Sequence, residues 1–230
     1  MILPPIIYRH PNQYLSFNIN MKRLIIVLVI IWSVFQLRAY CSPLSDTIVK
    51  HSDTIFSKAQ KLKRLYVLST ASSTDASDKY KQQFFDEFPS TFEQLNELYG
   101  YNYDTNKPAP LYNEFEKHIV DLFNNLNNIN DTLYYKKIIS IAIGGHWDGD
   151  AINAFQHGLQ IKVLNNPELT VYILKNMPEN KISSFWYFYF DGVHPKKQIP
   201  ARLQSIESVN NRVYNLMIDA QNEVLKHPKE

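Results

Sequence analysis

The stretch Leu111-Tyr-Asn-Glu-Phe-Glu-Lys-His-Ile-Val-Asp-Leu-Phe-Asn-Asn-Leu126 decides the fold class. Leu111, Phe115, Ile119, Leu122 and Leu126 advance by four, four, three and four residues, so a helix of 3.6 residues per turn gathers them on one stripe. His118 falls at the edge of that stripe. A histidine so placed reads as a hydrogen-bonded core residue.

The segments upstream repeat the pattern. Asp46 to about Leu68 places Ile48, Ile55, Leu62 and Leu65 near one stripe with lysines between them, which predicts a loosely attached leading helix. Ser69 to Ser77 is polar and small and predicts a linker. Asp78 to Glu87 predicts a helix that ends before Pro89, because the residue preceding proline is pushed out of the α region. Ser90 and Glu93 fit a capping box for a helix reaching Tyr99, with Phe92, Leu95 and Leu98 inward and Gly100 as its stop. Tyr101 to Pro110, with Asn102, Asp104, Asn106 and two prolines, reads as a loop.

Downstream, Asp131 is expected to cap a helix through Ile143, with Leu133, Tyr134, Ile138 and Ile141 inward. The run Ile138-Ile-Ser-Ile-Ala-Ile143 would also suit a buried strand, since β-branched residues favour one. Helix is preferred because the neighbouring segments are helical and no partner strand is evident. Past Gly144-Gly145, a helix opening at Asp148 or Gly149 carries Ile152, Phe155, Leu159 and Val163. Asn166-Pro167 reads as N-cap and first residue of the next. Phe185-Trp-Tyr-Phe-Tyr-Phe190 is a dense aromatic run stopped by Asp191-Gly192 and Pro195. Ala201 to about Leu225 predicts one long closing helix.

With 13% aromatic residues and only six glycines, the composition suits bulky helix packing rather than a turn-rich β-sandwich. The fold class is therefore all-α, an antiparallel helical bundle or an irregular helical-pair array. No internal repeat marks a solenoid.

Met21-Lys-Arg-Leu-Ile-Ile-Val-Leu-Val-Ile-Ile-Trp-Ser-Val-Phe35 is a leader. A basic pair precedes an apolar run from Leu24 to Phe35, which falls within the ~7–15 residues of a signal-peptide core and short of the ~20 needed to span a bilayer. Ala39 and Cys41 place small residues for cleavage before Ser42. A second reading makes Cys41 a lipid-bearing first residue, although Arg38 and Tyr40 fit that poorly. Residues 1–20 read as an over-extended start or a long n-region, 21–41 as the signal peptide, 42–77 as leading helix and linker, and 78–230 as the helical globular domain. The expected location is periplasmic or extracellular, as a free or lipid-anchored protein.

Cys41 is the only cysteine, so the exported part uses no disulfides. The net charge of +2 belongs to the leader: Arg9, Lys22, Arg23 and Arg38 precede Cys41, leaving 20 basic against 22 acidic residues after it. No concentrated positive face remains, which excludes a nucleic-acid binder.

Three of the six glycines lie in Gly144-Gly-His-Trp-Asp-Gly-Asp150. His146, Asp148 and Asp150 alternate there, His157 follows, and Asp191-Gly-Val-His194 is the only comparable group. Imidazoles and carboxylates together suit a divalent metal whose bound water could hydrolyse a substrate. The same residues also read as helix stops and caps, with Trp147 packed near Ile152. No Gly-x-Ser-x-Gly elbow and no phosphate-cradling glycine loop are present. Of the aromatic run, Trp186, Tyr187 and Tyr189 together with Trp147 are the candidates for gripping a ligand if they face outward, and core residues if they face inward.

The expected function is a non-enzymatic binding protein of the cell envelope whose partner is a protein or a glycan, with no cofactor. The alternative is a metal-dependent hydrolase built on His146, Asp148, Asp150 and His157 with Asp191 and His194. N-terminal sequencing of the exported product is expected to begin at Ser42. A product beginning at Met21 or earlier would remove the cleavage assignment.

Overall fold

The computed structural model describes residues 53–71, 74–126 and 128–227. The segment 21–41 expected to be a leader lies outside them, with Cys41, as do residues 1–20. The described part is all-α. Its helices are α1 (53–71), α2 (Thr74–Glu87), α3 (Phe92–Tyr99), α4 (Phe115–Asn124), α5 (Asp131–Ala142), α6 (Asp150–Asn165), α7 (Pro167–Leu174), α8 (Glu179–Phe190), α9 (Ala201–Gln204), α10 (Ile206–Val209) and α11 (Asn211–Lys226). The only strands among the described residues are β1 (Tyr101–Asn102) and β2 (Lys107–Pro108), a short antiparallel hairpin with Tyr101 opposite Pro108 and Asn102 opposite Lys107. No helix among the described residues is long and apolar enough to cross a membrane.

The stripe that sets the fold is inward: Leu111, Ile119, Leu122 and Leu126 are buried, and Phe115 is half-buried. The Ile138–Ile143 run is helical up to Ala142, with Ile138, Ile139 and Ile141 fully buried. Among α3 to α11, α8 packs along α11 and α4 along α6 more extensively than the other pairs. The α4–α6 approach is close because Gly158 faces the ring of Phe123, where a Cβ would lie 2.2 Å from a ring carbon.

Several local expectations are corrected. The leading helix is not loose: Ala59, Leu62 and Leu65 of α1 belong to the same core as the other helices. The expected linker 69–77 is helical to 71 and again from Thr74, and Ser77 donates its hydroxyl to the Ser69 carbonyl at 2.6 Å. The cap of α3 is Thr91 rather than Ser90. Its hydroxyl accepts the Gln94 amide N–H, and the Gln94 side chain accepts the Ser90 N–H. Asn130, not Asp131, caps α5, and Leu133, expected inward, is 56% exposed because it lies off the face that Tyr134, Ile138 and Ile141 bury. The segment expected to form one closing helix is three: α9 stops at Ser205, and the Asn210 side chain takes the Val213 N–H and starts α11 afresh. The loop 101–110 holds the β1–β2 hairpin, in which Asn106 adopts φ of 53°.

The last carbonyls of a helix have no partner within it, and where they are buried something else must donate to them. In this glycine-poor chain the donors are side chains from other helices. Lys137 of α5 donates to the Phe85 and Asp86 carbonyls at the end of α2. Tyr134 donates to Leu122 of α4 at 2.9 Å, and Tyr135 to Lys162 of α6 at 2.7 Å. Arg212 of α11 donates to the Lys175 carbonyl just past α7 at 2.7 Å. Gln156 and Gln160 of α6 do the same for α8.

His118 is the buried, hydrogen-bonded residue the sequence suggested. Its ring is ringed by Tyr66, Phe84 and Tyr99, and Nδ1 lies 2.9 Å from the Tyr99 hydroxyl. In the neutral ring that nitrogen accepts the phenol proton. Burial pushes its pKa from 6.5 down to about 4, opposed by the Glu114 carboxylate. Between those values the unfolded chain takes up the proton and the folded chain does not, so stability falls as pH drops from 6.5 towards 4. The loss from this one group is on the order of 3 kcal/mol. Urea midpoints measured from pH 7 to pH 4 are expected to fall less steeply in His118→Gln, which keeps an acceptor for Tyr99 but does not titrate. Parallel profiles would show that His118 is not the responsible group.

Candidate functional site

Why does the aromatic run end where it does, inside the protein? α8 buries Phe185, Trp186, Phe188, Tyr189 and Phe190, each contributing roughly 1.5–3 kcal/mol of apolar burial. Its final turn is therefore shielded from water. The Gln156 amide nitrogen donates to the carbonyls of Phe188 and Asp191, and Gln160, one turn along α6, donates to Tyr189 at 2.8 Å. Gln156 is itself buried. α6 thus supplies the donors that another turn of α8 would have provided.

Ending α8 in this way presents Asp191. This buried carboxylate accepts the backbone N–H of Trp147 at 2.6 Å. The Trp147 indole N–H donates to the Asn153 side chain at 3.3 Å, and the indole lies beside Gly192. The two glycine-containing segments, 144–150 and 191–194, therefore meet. Between them and α6 lies a pocket of about 180 Å³ lined by Trp147, Asn153, Gln156, Gln160, Asp191 and His194. Tyr189 and Lys196 also line it.

The turn before α6 is held from both ends. Gly144 adopts φ of 82° after α5, and its N–H donates to the Ser184 hydroxyl at 2.7 Å. Gly145 fits against Phe92 and Phe188, where a Cβ would come within 3 Å of both rings. At the far end the cap residue is Gly149, and Asp150 takes φ of 48°, which a short polar side chain tolerates better than most. The Tyr103 hydroxyl donates to Asp148 at 3.0 Å and the Tyr112 hydroxyl to Asp150. These bonds to carboxylates raise the Tyr103 pKa and push that of Tyr112 up to about 12. The rings of Tyr101, Tyr103 and Tyr112 form an exposed cluster, with Tyr103 70% accessible.

The six residues considered as metal ligands are thus placed in separate settings. His146 is exposed against the ring of Phe92. Asp148 and Asp150 take tyrosine hydroxyls. His157 is exposed on the α4–α6 groove beside Val120 and Ile161. Asp191 holds the Trp147 backbone, and His194 stands at the rim of the pocket. Among the described residues no three His, Cys, Asp or Glu side chains are grouped so as to hold a metal ion.

Of the four aromatic candidates, Trp186 and Tyr189 are core residues and present no outward face, because α8 is enclosed around most of its circumference. Tyr187 is half-buried, and burial raises its pKa, with Asp191 and Glu223 adding to the effect. Trp147 is half-buried and borders the pocket. Residue reading missed Asn153, Gln156 and Gln160. The available signal was the pair of glutamines four residues apart, since Gln156 directly follows the inward Phe155 and a buried amide needs partners. No protein-family model, no curated protein and no solved structure matches the chain.

Gln156→Leu removes the donor to two buried carbonyls while keeping much of the side-chain volume. It is expected to cost roughly 2–4 kcal/mol in urea unfolding, from the desolvation of unpaired carbonyls. A loss below about 1 kcal/mol would mean that the end of α8 is satisfied without Gln156.

Proposed function

We propose that this is an exported, non-catalytic binding protein of the cell envelope, freed by cleavage of the leader before Ser42, and that the pocket beside Trp147 receives its ligand. The observation that carries the reading is the meeting of 144–150 and 191–194 around that pocket, with a half-buried indole at its edge. Small concave sites with an aromatic wall and a few fixed polar groups are where ligands bind. The side chains around it are the amides of Asn153, Gln156 and Gln160, the Trp147 indole, the rings of Tyr189 and Phe190, His194, Lys196 and the Asp191 carboxylate, which accepts the Trp147 backbone N–H. The three amides and the indole are groups that hold and orient a ligand. Helix pairs such as α4 with α6 and α8 with α11, which skip intervening elements, favour an irregular array over a simple up-and-down bundle.

The test uses a cell-envelope fraction as the probe. Purified protein is expected to co-sediment with it saturably, and Trp147→Ala to remain in the supernatant while still unfolding cooperatively. Equal partitioning of the two proteins would remove the pocket from the binding role.

A further inference from the structure

Past Trp147 the turn continues into Asp148 and Asp150, which do not line the pocket and instead meet tyrosines from two other segments. Tyr103 comes from the β1–β2 hairpin and Tyr112 from the residues before α4. The ring of Tyr101 touches both, with centroids 5.2 Å from Tyr103 and 5.8 Å from Tyr112. Each hydroxyl is spent inward: Tyr101 on the Asn106 side chain at 2.8 Å, Tyr103 on Asp148 and Tyr112 on Asp150. Pinning the hairpin to the turn accounts for these hydroxyls. It does not account for leaving the Tyr103 ring 70% exposed beside two half-buried ones. Grouped aromatic surface left in water marks a place where a partner covers it.

The charge at this surface has one sign. Asp148 and Asp150 both raise the pKa of Tyr103, Asp150 raises that of Tyr112, and among the described residues no cation opposes them at either hydroxyl. Lys107, the one basic side chain of the hairpin, acts on neither. Among the described residues neither carboxylate is in an ion pair. Asp148 takes the Tyr103 hydroxyl and the Gly149 N–H on the same oxygen, and Tyr112 bonds one oxygen of Asp150. One oxygen of each carboxylate is left to accept from outside. A cation therefore meets only favourable charge here, and tyrosine faces attract cations as well.

An open group of rings encloses little of a small molecule, so the cation is one carried by a larger partner. Guanidinium suits both parts of the surface, since it stacks flat on an aromatic ring and forks onto carboxylate oxygens. We propose that Tyr101, Tyr103 and Tyr112 with Asp148 and Asp150 form a docking surface for a basic segment of a protein partner, an arginine of which lies on the rings and bonds the carboxylates. The inward hydroxyl bonds hold the rings in place before the partner arrives, so little side-chain freedom is lost on docking. This surface is separate from the pocket and does not depend on it.

The probe is a fluorescein-labelled hexa-arginine peptide, followed by anisotropy on the purified protein. Saturable one-to-one binding is expected, and none of a hexa-glutamate peptide. Tyr103→Ser removes the exposed ring and is expected to weaken binding about fivefold. Tyr103→Phe keeps the ring and is expected to keep most of the affinity. Asp150→Asn keeps an acceptor for Tyr112 and tolerates φ of 48°, so it removes charge alone and is expected to cost about threefold. Glu207→Gln removes the same charge from exposed α10 and is expected to change nothing. No binding of hexa-arginine, or equal affinity in the wild type and Tyr103→Ser, would overturn the surface. Equal losses in Asp150→Asn and Glu207→Gln would show attraction to net charge only and overturn it as well. Displacement of the peptide by an equal concentration of tetramethylammonium would overturn the protein partner in favour of a free ammonium ion.

Discussion

Buried helix ends are the constraint on which the rest of the structure depends. A chain with six glycines has few residues for left-handed helix stops, and only Gly144 serves in that way with a clearly positive φ directly after a helix. At the ends of α2, α4 and α8, carbonyls of the last turn are taken by side chains of another helix: Lys137, Tyr134, and Gln156 with Gln160. Each such bond joins two different helices. Termination of one helix and docking of another are then a single event, which ties local structure to tertiary packing. Lys137 shows the cost: burial lowers its pKa to about 8, and the Asp86 carboxylate only partly offsets that.

The all-α class was legible because it rests on periodicity, and periodicity reflects burial directly. Leu111 to Leu126 and Ile152 to Val163 fall inward as their spacing requires. Helix ends were less legible, because neighbouring polar residues compete for the same cap. Ser90 and Thr91 are equally good acceptors by type, and only backbone geometry at Thr91 decides between them. The cap of α5 likewise falls one residue earlier than expected, at Asn130, and Leu133 lies outside the face that Tyr134, Ile138 and Ile141 bury. Asn210 shows the converse: in a sequence window it looks like a tolerable interior residue, and in the fold it breaks a helix in two.

The site was legible in its parts and not in its assembly. Glycine clustering marked both 144–150 and 191–194 as turns with chemistry-bearing neighbours. Reading them as helix stops was sound, since Gly144 follows α5 and Asp191 follows α8. What spacing does not carry is that the two stops abut, because this depends on α6 reaching the end of α8 through Gln156 and Gln160. The aromatic run was ambiguous for a related reason. Helical projection distributes Phe185 to Phe190 around the axis, and only the packing of α11, α5 and α6 against α8 covers Trp186 and Tyr189 while leaving Tyr187 half-open.

Helix termination and the lining of the pocket are in this way the same set of bonds seen from two sides. An amide that gives its N–H groups to orphan carbonyls turns its oxygen into a fixed acceptor, held by a core that cannot shift without unpairing α8. A carboxylate that accepts the Trp147 backbone fixes an indole at a set depth beside Gly192. Rigidity at the pocket therefore needs no dedicated residues: it follows from the requirement that a helix ending in the interior leave no carbonyl unpaired.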